Sequence, residues 1–158
     1  MLIGHMLLPL ALALAPPADT ILSCSVGGAK RIEVTSDGTS VTYRYGRKGR
    51  PEITLTGNPA SGTLFYHGTT YLRAEDQTLR FVAGNGYEYI VYSRWQAPTG
   101  RDAEGLPTVP EYNGAGVVVM YGGKAIARLK CRPDGMMHEW PVFFRLPKDE
   151  ANRTPDDA

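Results

Sequence analysis

Between Leu22 and Cys131 the chain is written in short runs of alternating apolar and polar residues, interrupted at close intervals by glycine-rich turns. A period of two puts successive side chains on opposite faces of an extended strand, so such runs fit half-buried strands and no helix. Leu22, Cys24 and Val26 share one face; Ile32 and Val34 do so within Arg31 to Thr35, and Val41, Tyr43 and Tyr45 continue the pattern after the turn at Ser36-Asp37-Gly38-Thr39. Ile53 and Leu55 point inward from Glu52 to Thr56, and Leu64 to His67 is a further short strand after the breaker Gly57-Asn58-Pro59-Ala60-Ser61-Gly62. Thr78 to Ala83 and Tyr87 to Ser93 flank Gly84-Asn85-Gly86, the strongest hairpin signal in the chain, and Val117 to Tyr121 and Lys124 to Cys131 flank Gly122-Gly123. Eighteen Gly and twelve Pro exceed what a helical bundle tolerates, and nine Tyr favour strands. The expected fold is all-β, a small antiparallel β-barrel or sandwich of about eight to nine strands, with a long loop from Arg94 to Gly114 and a C-terminal extension.

A length of 158 residues suits one domain of ordinary size. Seventeen Lys and Arg against 16 Asp and Glu leave a net charge of +1, which excludes a strongly basic nucleic-acid binder and an acidic tail as the main theme. Met6 to Ala15 is a ten-residue apolar run, the length of a signal-peptide core and well short of the ~20 residues that span a bilayer. Residues 1–18 are therefore expected to be a signal peptide, cut near Ala15 or Ala18, and the protein to be periplasmic or secreted. Residues 19–131 form the expected β domain. Residues 132–158 form the extension, in which Met136 to Leu146 is apolar and aromatic, suited to docking as an edge strand or cover, and Pro147 to Ala158 is polar and expected to be disordered.

Two cysteines agree with export. Cys24 and Cys131 both share strand faces with apolar neighbours, so both thiols are expected to point into the core; one disulfide is the default in an oxidising compartment, two buried free thiols the alternative. Closing a loop of ~100 residues stabilises by up to ~4–5 kcal/mol in the chain-entropy model. Ile21-Leu22-Ser23-Cys24 also has the form of a lipobox, which gives a lipid anchor as a lesser alternative, although Pro16, Pro17, Asp19 and Thr20 separate it from the apolar run.

Catalytic patterns are thin. His67 and His138, the histidines outside the apolar leader, lie in no nucleophile elbow or HExxH pattern, and no glycine-rich loop leads into a helix that would cradle phosphate. The chain is expected to be a binding protein without cofactor or metal. One charge asymmetry remains. Between positions 30 and 50, Lys30, Arg31, Arg44, Arg47, Lys48 and Arg50 oppose only Glu33 and Asp37, a local net charge of 6 − 2 = +4. In an exported protein such a basic hairpin suits an anionic envelope polymer or an acidic protein rather than nucleic acid.

Cys24-x-x-Gly27 followed by Ile32-x-Val34, and Ser61-Gly62 followed by Tyr66, resemble the bacterial c-type lysozyme inhibitors, membrane-bound and periplasmic. The resemblance covers roughly Cys24 to Cys131. It implies a small exported β-barrel with an early-to-late disulfide and an inhibitory loop that enters the active-site cleft of a lysozyme. Here that loop would comprise Asn58, Ser61, Gly62 and Tyr66, with Ser61 bonding a catalytic carboxylate and Tyr66 packing the loop base. Ser61 to Tyr66 is one residue longer than the family's Ser-Gly-x-x-Tyr, and the family's Trp-rich strand has no counterpart. The implied partner is a lysozyme-like or other peptidoglycan hydrolase, with a role as an immunity protein if that hydrolase is a delivered toxin. No oligomeric state follows from any of these features.

Overall fold

The computed structural model describes residues 17–132 and 135–151; the expected signal-peptide core and the last seven residues lie outside the described residues. The chain folds as two consecutive antiparallel meanders. Strands β1 (Asp19–Gly27), β2 (Lys30–Ser36), β3 (Val41–Arg47) and β4 (Arg50–Gly57) form a four-stranded sheet in chain order. Strands β5 (Leu64–Tyr71), β6 (Ala74–Val82), β7 (Tyr87–Gln96), β8 (Tyr112–Tyr121) and β9 (Lys124–Lys130) form a five-stranded sheet, again in chain order. Of the two expected architectures this is the sandwich: the two sheets face each other and do not close into a barrel.

Alternation decides which residues meet between the sheets. Leu22 and Cys24, Ile32 and Val34, and Val41 and Tyr43 from the first sheet pack with Leu64, Leu79, Phe81, Val91 and Val117 from the second. Tyr43 is wholly buried, its ring centroid 5.8 Å from that of Phe81 and 5.7 Å from that of Tyr89, and the burial holds its phenol well above the ordinary tyrosine range. The Cys24–Cys131 disulfide joins β1 to the residue after β9, tying an edge of each sheet together. The sulfur that the lipid-anchor alternative would modify is here bonded to Cys131 in the core.

The β8–β9 turn follows its residue types closely. Gly122 and Gly123 both take positive φ, +57° and +80°, as a two-residue primed turn requires. The β5–β6 hairpin, by contrast, is longer than the alternation indicates: β5 runs on to Tyr71 and β6 begins at Ala74. Its far half is polar because it extends beyond the apolar core, with Gln77 and Ser93 buried there instead. Likewise β7 reaches Gln96 and β8 starts at Tyr112, so the Arg94–Gly114 loop contracts to residues 97–111. Within it Thr99 and Val109 exchange two backbone hydrogen bonds of 2.9 Å, making a minor hairpin.

The C-terminal extension is a cover. Met137, Val142, Phe143 and Leu146 are buried in the main core, and Phe143–Arg145 forms a single 3-10 turn. The Met137 amide donates to Ser93 Oγ at 2.9 Å, which satisfies a hydroxyl buried in β7. Contrary to the expectation of disorder from Pro147 onward, Tyr66 of β5 donates its amide to Pro147 O (2.9 Å) and accepts from the Asp149 amide (2.8 Å). This short parallel pairing covers the β5 edge, which would otherwise be open to other strands.

Candidate functional site

Strand alternation gives the first sheet an outward face made of residues of the other parity. Ser23, Glu33 and Arg44 stand in one cross-strand row, and Ser25, Arg31 and Gly46 in the next. The β3–β4 hairpin then turns tightly through Lys48 and Gly49, with Arg47 opposite Arg50 and Gly49 at φ +72°. A register shift between Tyr45 and Gly46 interrupts the ladder. Gly46 occupies φ +140°, and a Cβ there would lie 2.6 Å from the Glu52 amide nitrogen, so the position tolerates only glycine. Bulges of this kind bend the strand that carries them. The hairpin residues Arg47, Lys48 and Gly49 thus stand beside the outward face, enclosing with Ser23, Arg31, Glu33 and Arg44 a cleft of about 420 Å³.

Four of the six basic residues singled out from the sequence line this cleft: Arg31, Arg44, Arg47 and Lys48. Lys30 and Arg50 do not. Lys30 has the parity of Ile32 and Val34; its ammonium lies 3.0 Å from Glu52 Oε2 and 5.3 Å from the Tyr45 ring centroid. The hydrogen bond it donates to Glu52 raises its pKa above the usual lysine value. The patch read from the sequence as one surface is therefore divided: Lys30, although it is the direct cross-strand partner of Arg47, is drawn to Glu52 and Tyr45 and does not line the cleft.

Within the cleft the charges are unequally satisfied. Arg31 donates from Nη2 to Ser23 Oγ at 2.8 Å. Arg44 donates from Nη1 to Thr35 Oγ1 at 3.2 Å and stands 4.0 Å from Glu33 Oε2. Arg47 and Lys48 make no ion pair among the described residues. Three basic charges remain in excess once Glu33 is counted against the four cations. Ser23, Glu33 and Gly46 belong to this site and were not singled out from the sequence as part of it. Parity would have placed Ser23 and Glu33 on the face of Arg31 and Arg44; the bulge at Gly46 leaves no such signature.

The residues expected to form an inhibitory loop are arranged differently from that expectation. Asn58 to Gly62 is a compact, exposed turn between the two sheets, with Gly62 at φ +67°. Ser61 Oγ donates its proton to Asn58 O (2.9 Å) and accepts from the Asn58 amide (3.1 Å), from Thr63 Oγ1 (2.9 Å) and from the Thr63 amide (3.3 Å). A hydroxyl has one proton and two lone pairs, so the three donors share its acceptor capacity and this side chain is fully engaged in holding its own turn. Asn58 Oδ1 accepts from the Ala60 amide at 2.9 Å and tightens it further.

Tyr66 is absent from that turn. It lies on β5 with its ring centroid 4.8 Å from that of Phe143, under the C-terminal cover, beside a second hollow of about 270 Å³ lined also by His67, Glu139, Phe144 and Lys148. Its hydroxyl is buried over Gly68 without a hydrogen-bond partner among the described residues, and its pKa is pushed up to about 12, by burial first and then by Glu139 and Glu75. Tyr66 therefore packs the cover and not the loop base. His67 Nε2 lies 3.1 Å from Thr69 Oγ1.

Among the described residues no three His, Cys, Asp or Glu side chains gather as a metal site, and no helix is long and apolar enough to cross a membrane. No family model matches the chain, and neither a curated protein nor a solved structure matches it.

Proposed function

We propose that this is an exported binding protein of the cell envelope, periplasmic or secreted, that holds an anionic polymer in the cleft on the outward face of the first sheet. The observation that carries the reading is the convergence of Arg31, Arg44, Arg47 and Lys48 on one cleft, three of them (Arg31, Arg47 and Lys48) without any ion pair among the described residues. Arginine forks suit carboxylate, phosphate and sulfate groups alike, and an unpaired cation beside a concave surface gives up little on binding an anion. The disulfide supports an oxidising compartment, and the Met6 to Ala15 run supports a route to it.

The test is binding of the domain to a soluble polyanion such as heparin across a salt series. Affinity is expected to fall by roughly tenfold or more between about 50 and 200 mM salt, as release of counterions from several charge contacts demands. Replacing Arg47 and Lys48 together by Ala should remove most of the binding and flatten the salt dependence. Binding that survives both changes would assign the cleft to solubility alone.

A second reading, inhibition of a lysozyme-like or other cell-wall hydrolase, is favoured by the rigidity of the Asn58 to Gly62 turn. A segment ordered by its own hydrogen bonds loses little entropy on entering a cleft. In that case the exposed Ala60 and Gly62 backbone makes the approach, since Ser61 Oγ has no capacity left for a partner.

A further inference from the structure

The cleft is not uniformly basic, and its polarity bears on what it binds. This inference rests on the cleft being the binding site. Arg47 and Lys48 lie at the hairpin end. Glu33 sits in the row of Ser23 and Arg44, two strand positions from the row of Arg31 and Gly46, a separation of about 6.6 Å at strand rise. Its one ion-pair contact, to Arg44, is a loose 4.0 Å. For a bare polyphosphate or polysulfate, a carboxylate at this place is purely repulsive, and the site would bind better without it. The same carboxylate becomes an asset for a ligand that carries hydrogen-bond donors as well as acidic groups. The Ser23 hydroxyl beside it, whose oxygen accepts from Arg31, keeps its own proton to donate. Gly46 lines the cleft between the two halves with backbone alone.

We infer that the ligand is an acidic glycan, in which the carboxylate of a uronate-type sugar is held by Arg47 and Lys48 while ring hydroxyls donate to Glu33. Arg47 lies three strand positions from the row of Glu33, about 10 Å at strand rise, so carboxylate and hydroxyl come from neighbouring rings of the chain. Anion and hydroxyl are both required, which distinguishes this ligand from a polymer of charge alone.

The experiment measures binding of oligogalacturonate and of polyphosphate, matched in charge, by isothermal titration at one salt concentration. The wild type, Glu33→Gln and Arg47→Ala/Lys48→Ala proteins are compared. Expected is tighter binding of oligogalacturonate than of polyphosphate by the wild type. Glu33→Gln should weaken oligogalacturonate roughly tenfold or more, because the charged acceptor becomes a neutral amide and one of its two accepting oxygens becomes an NH2 donor facing the ring hydroxyls. It should leave polyphosphate unchanged or bind it a few-fold tighter, because a repulsive charge is gone. Opposite signs for the two ligands support the inference. If Glu33→Gln tightens both, or if polyphosphate binds the wild type as well as the glycan does, the glycan assignment is overturned while the cleft remains an anion site. If neither polymer binds, or the Arg47/Lys48 variant binds both undiminished, the cleft reading itself falls.

Discussion

The outward faces of the two sheets carry the same kinds of residue and put them to opposite uses. On the second sheet, Arg80 of β6 is nearly buried, its side chain 11% exposed against 1% for its partner Asp149. It donates through Nε and Nη2 to both Asp149 oxygens, at 2.9 and 2.7 Å, reaches Glu88 at 3.4 Å and lies 4.5 Å from the Phe65 ring centroid. These carboxylates raise its pKa further. Beside it Ile90, Val118 and Met120 form a small buried cluster on the same outward parity. On the first sheet Arg47 and Lys48 have no carboxylate within ion-pair reach among the described residues. The difference comes from the C-terminal segment, which returns along β5 and delivers Asp149 to Arg80, whereas its contacts with the first sheet, the Arg132 amide on Ser25 O and the Arg145 guanidinium on Gly38 O, bring no carboxylate to Arg47 or Lys48. A cation becomes structural where a later part of the chain neutralises it. It stays available for a ligand where none does.

The sharpest way to break this contrast is Asp149→Asn. It leaves the Arg80 charge nearly buried with only the longer contact to Glu88, and removing one partner of a buried pair costs about 3–5 kcal/mol. Urea unfolding should show that loss, and limited proteolysis should show earlier cutting within residues 136–151. Arg80→Met with Asp149→Leu should cost much less, because no charge is stranded. A loss below ~1 kcal/mol for the single variant would mean that Val142 and Phe143 hold the cover unaided and that Arg80 is no more structural than Arg47.

Legibility in the sequence follows the same division. Where one strand face meets the core, alternation is strong, and Ile32, Val34, Tyr43 and Val117 declare their strands and faces. The paired cysteines were readable for the same reason. Where the partner surface is the C-terminal cover instead of the opposite sheet, buried positions are Gln77 and Ser93, and the period fades; hence β5, β6, β7 and β8 are all longer than the sequence indicates. The candidate site was half legible. Charge clustering singles out Arg31, Arg44, Arg47 and Lys48, but grouping by sequence number also collected Lys30, whose ion pair with Glu52, a residue of the neighbouring hairpin arm, no charge count reveals. Tyr66 was misplaced because its partner Phe143 is remote in sequence, and a spacing rule cannot report a contact made by a distant segment.

The turn joining the sheets stands between the two cases, exposed like the first face and internally satisfied like the second. Ser61→Ala sharpens the comparison there. It removes a hydroxyl that bonds Asn58 and Thr63, so a loss of about 1 kcal/mol is expected, partly offset by water at so exposed a site. If the turn also inhibits a hydrolase, inhibition of a lysozyme panel should fall no further than the loosening of the turn explains, while Gly62→Val, strained at φ +67°, should abolish it. A Ser61→Ala protein of unchanged stability that loses inhibition a hundredfold would reverse the assignment and return Ser61 to direct contact with the target.

The smallest expected effect on stability is the most informative about the first face. Arg47 and Arg50 are directly opposed across the β3–β4 hairpin, and like charges in such pairs are destabilising by a few tenths of a kcal/mol. Neither Arg47 nor Lys48 offsets this with an ion pair among the described residues. Arg47→Ala with Lys48→Ala should therefore leave the unfolding midpoint unchanged or raise it, by no more than ~0.5 kcal/mol. Any gain should shrink as salt is added, since screening already relieves the repulsion in the wild type. The same pair of replacements is the one expected to remove polyanion binding. Unchanged or improved folding together with lost binding would mark these charges as kept for a ligand against a slight cost to the hairpin. A destabilisation above ~1 kcal/mol would show instead that Arg47 or Lys48 braces the bulged hairpin, as Arg80 braces the cover, and the contrast between the two faces would disappear.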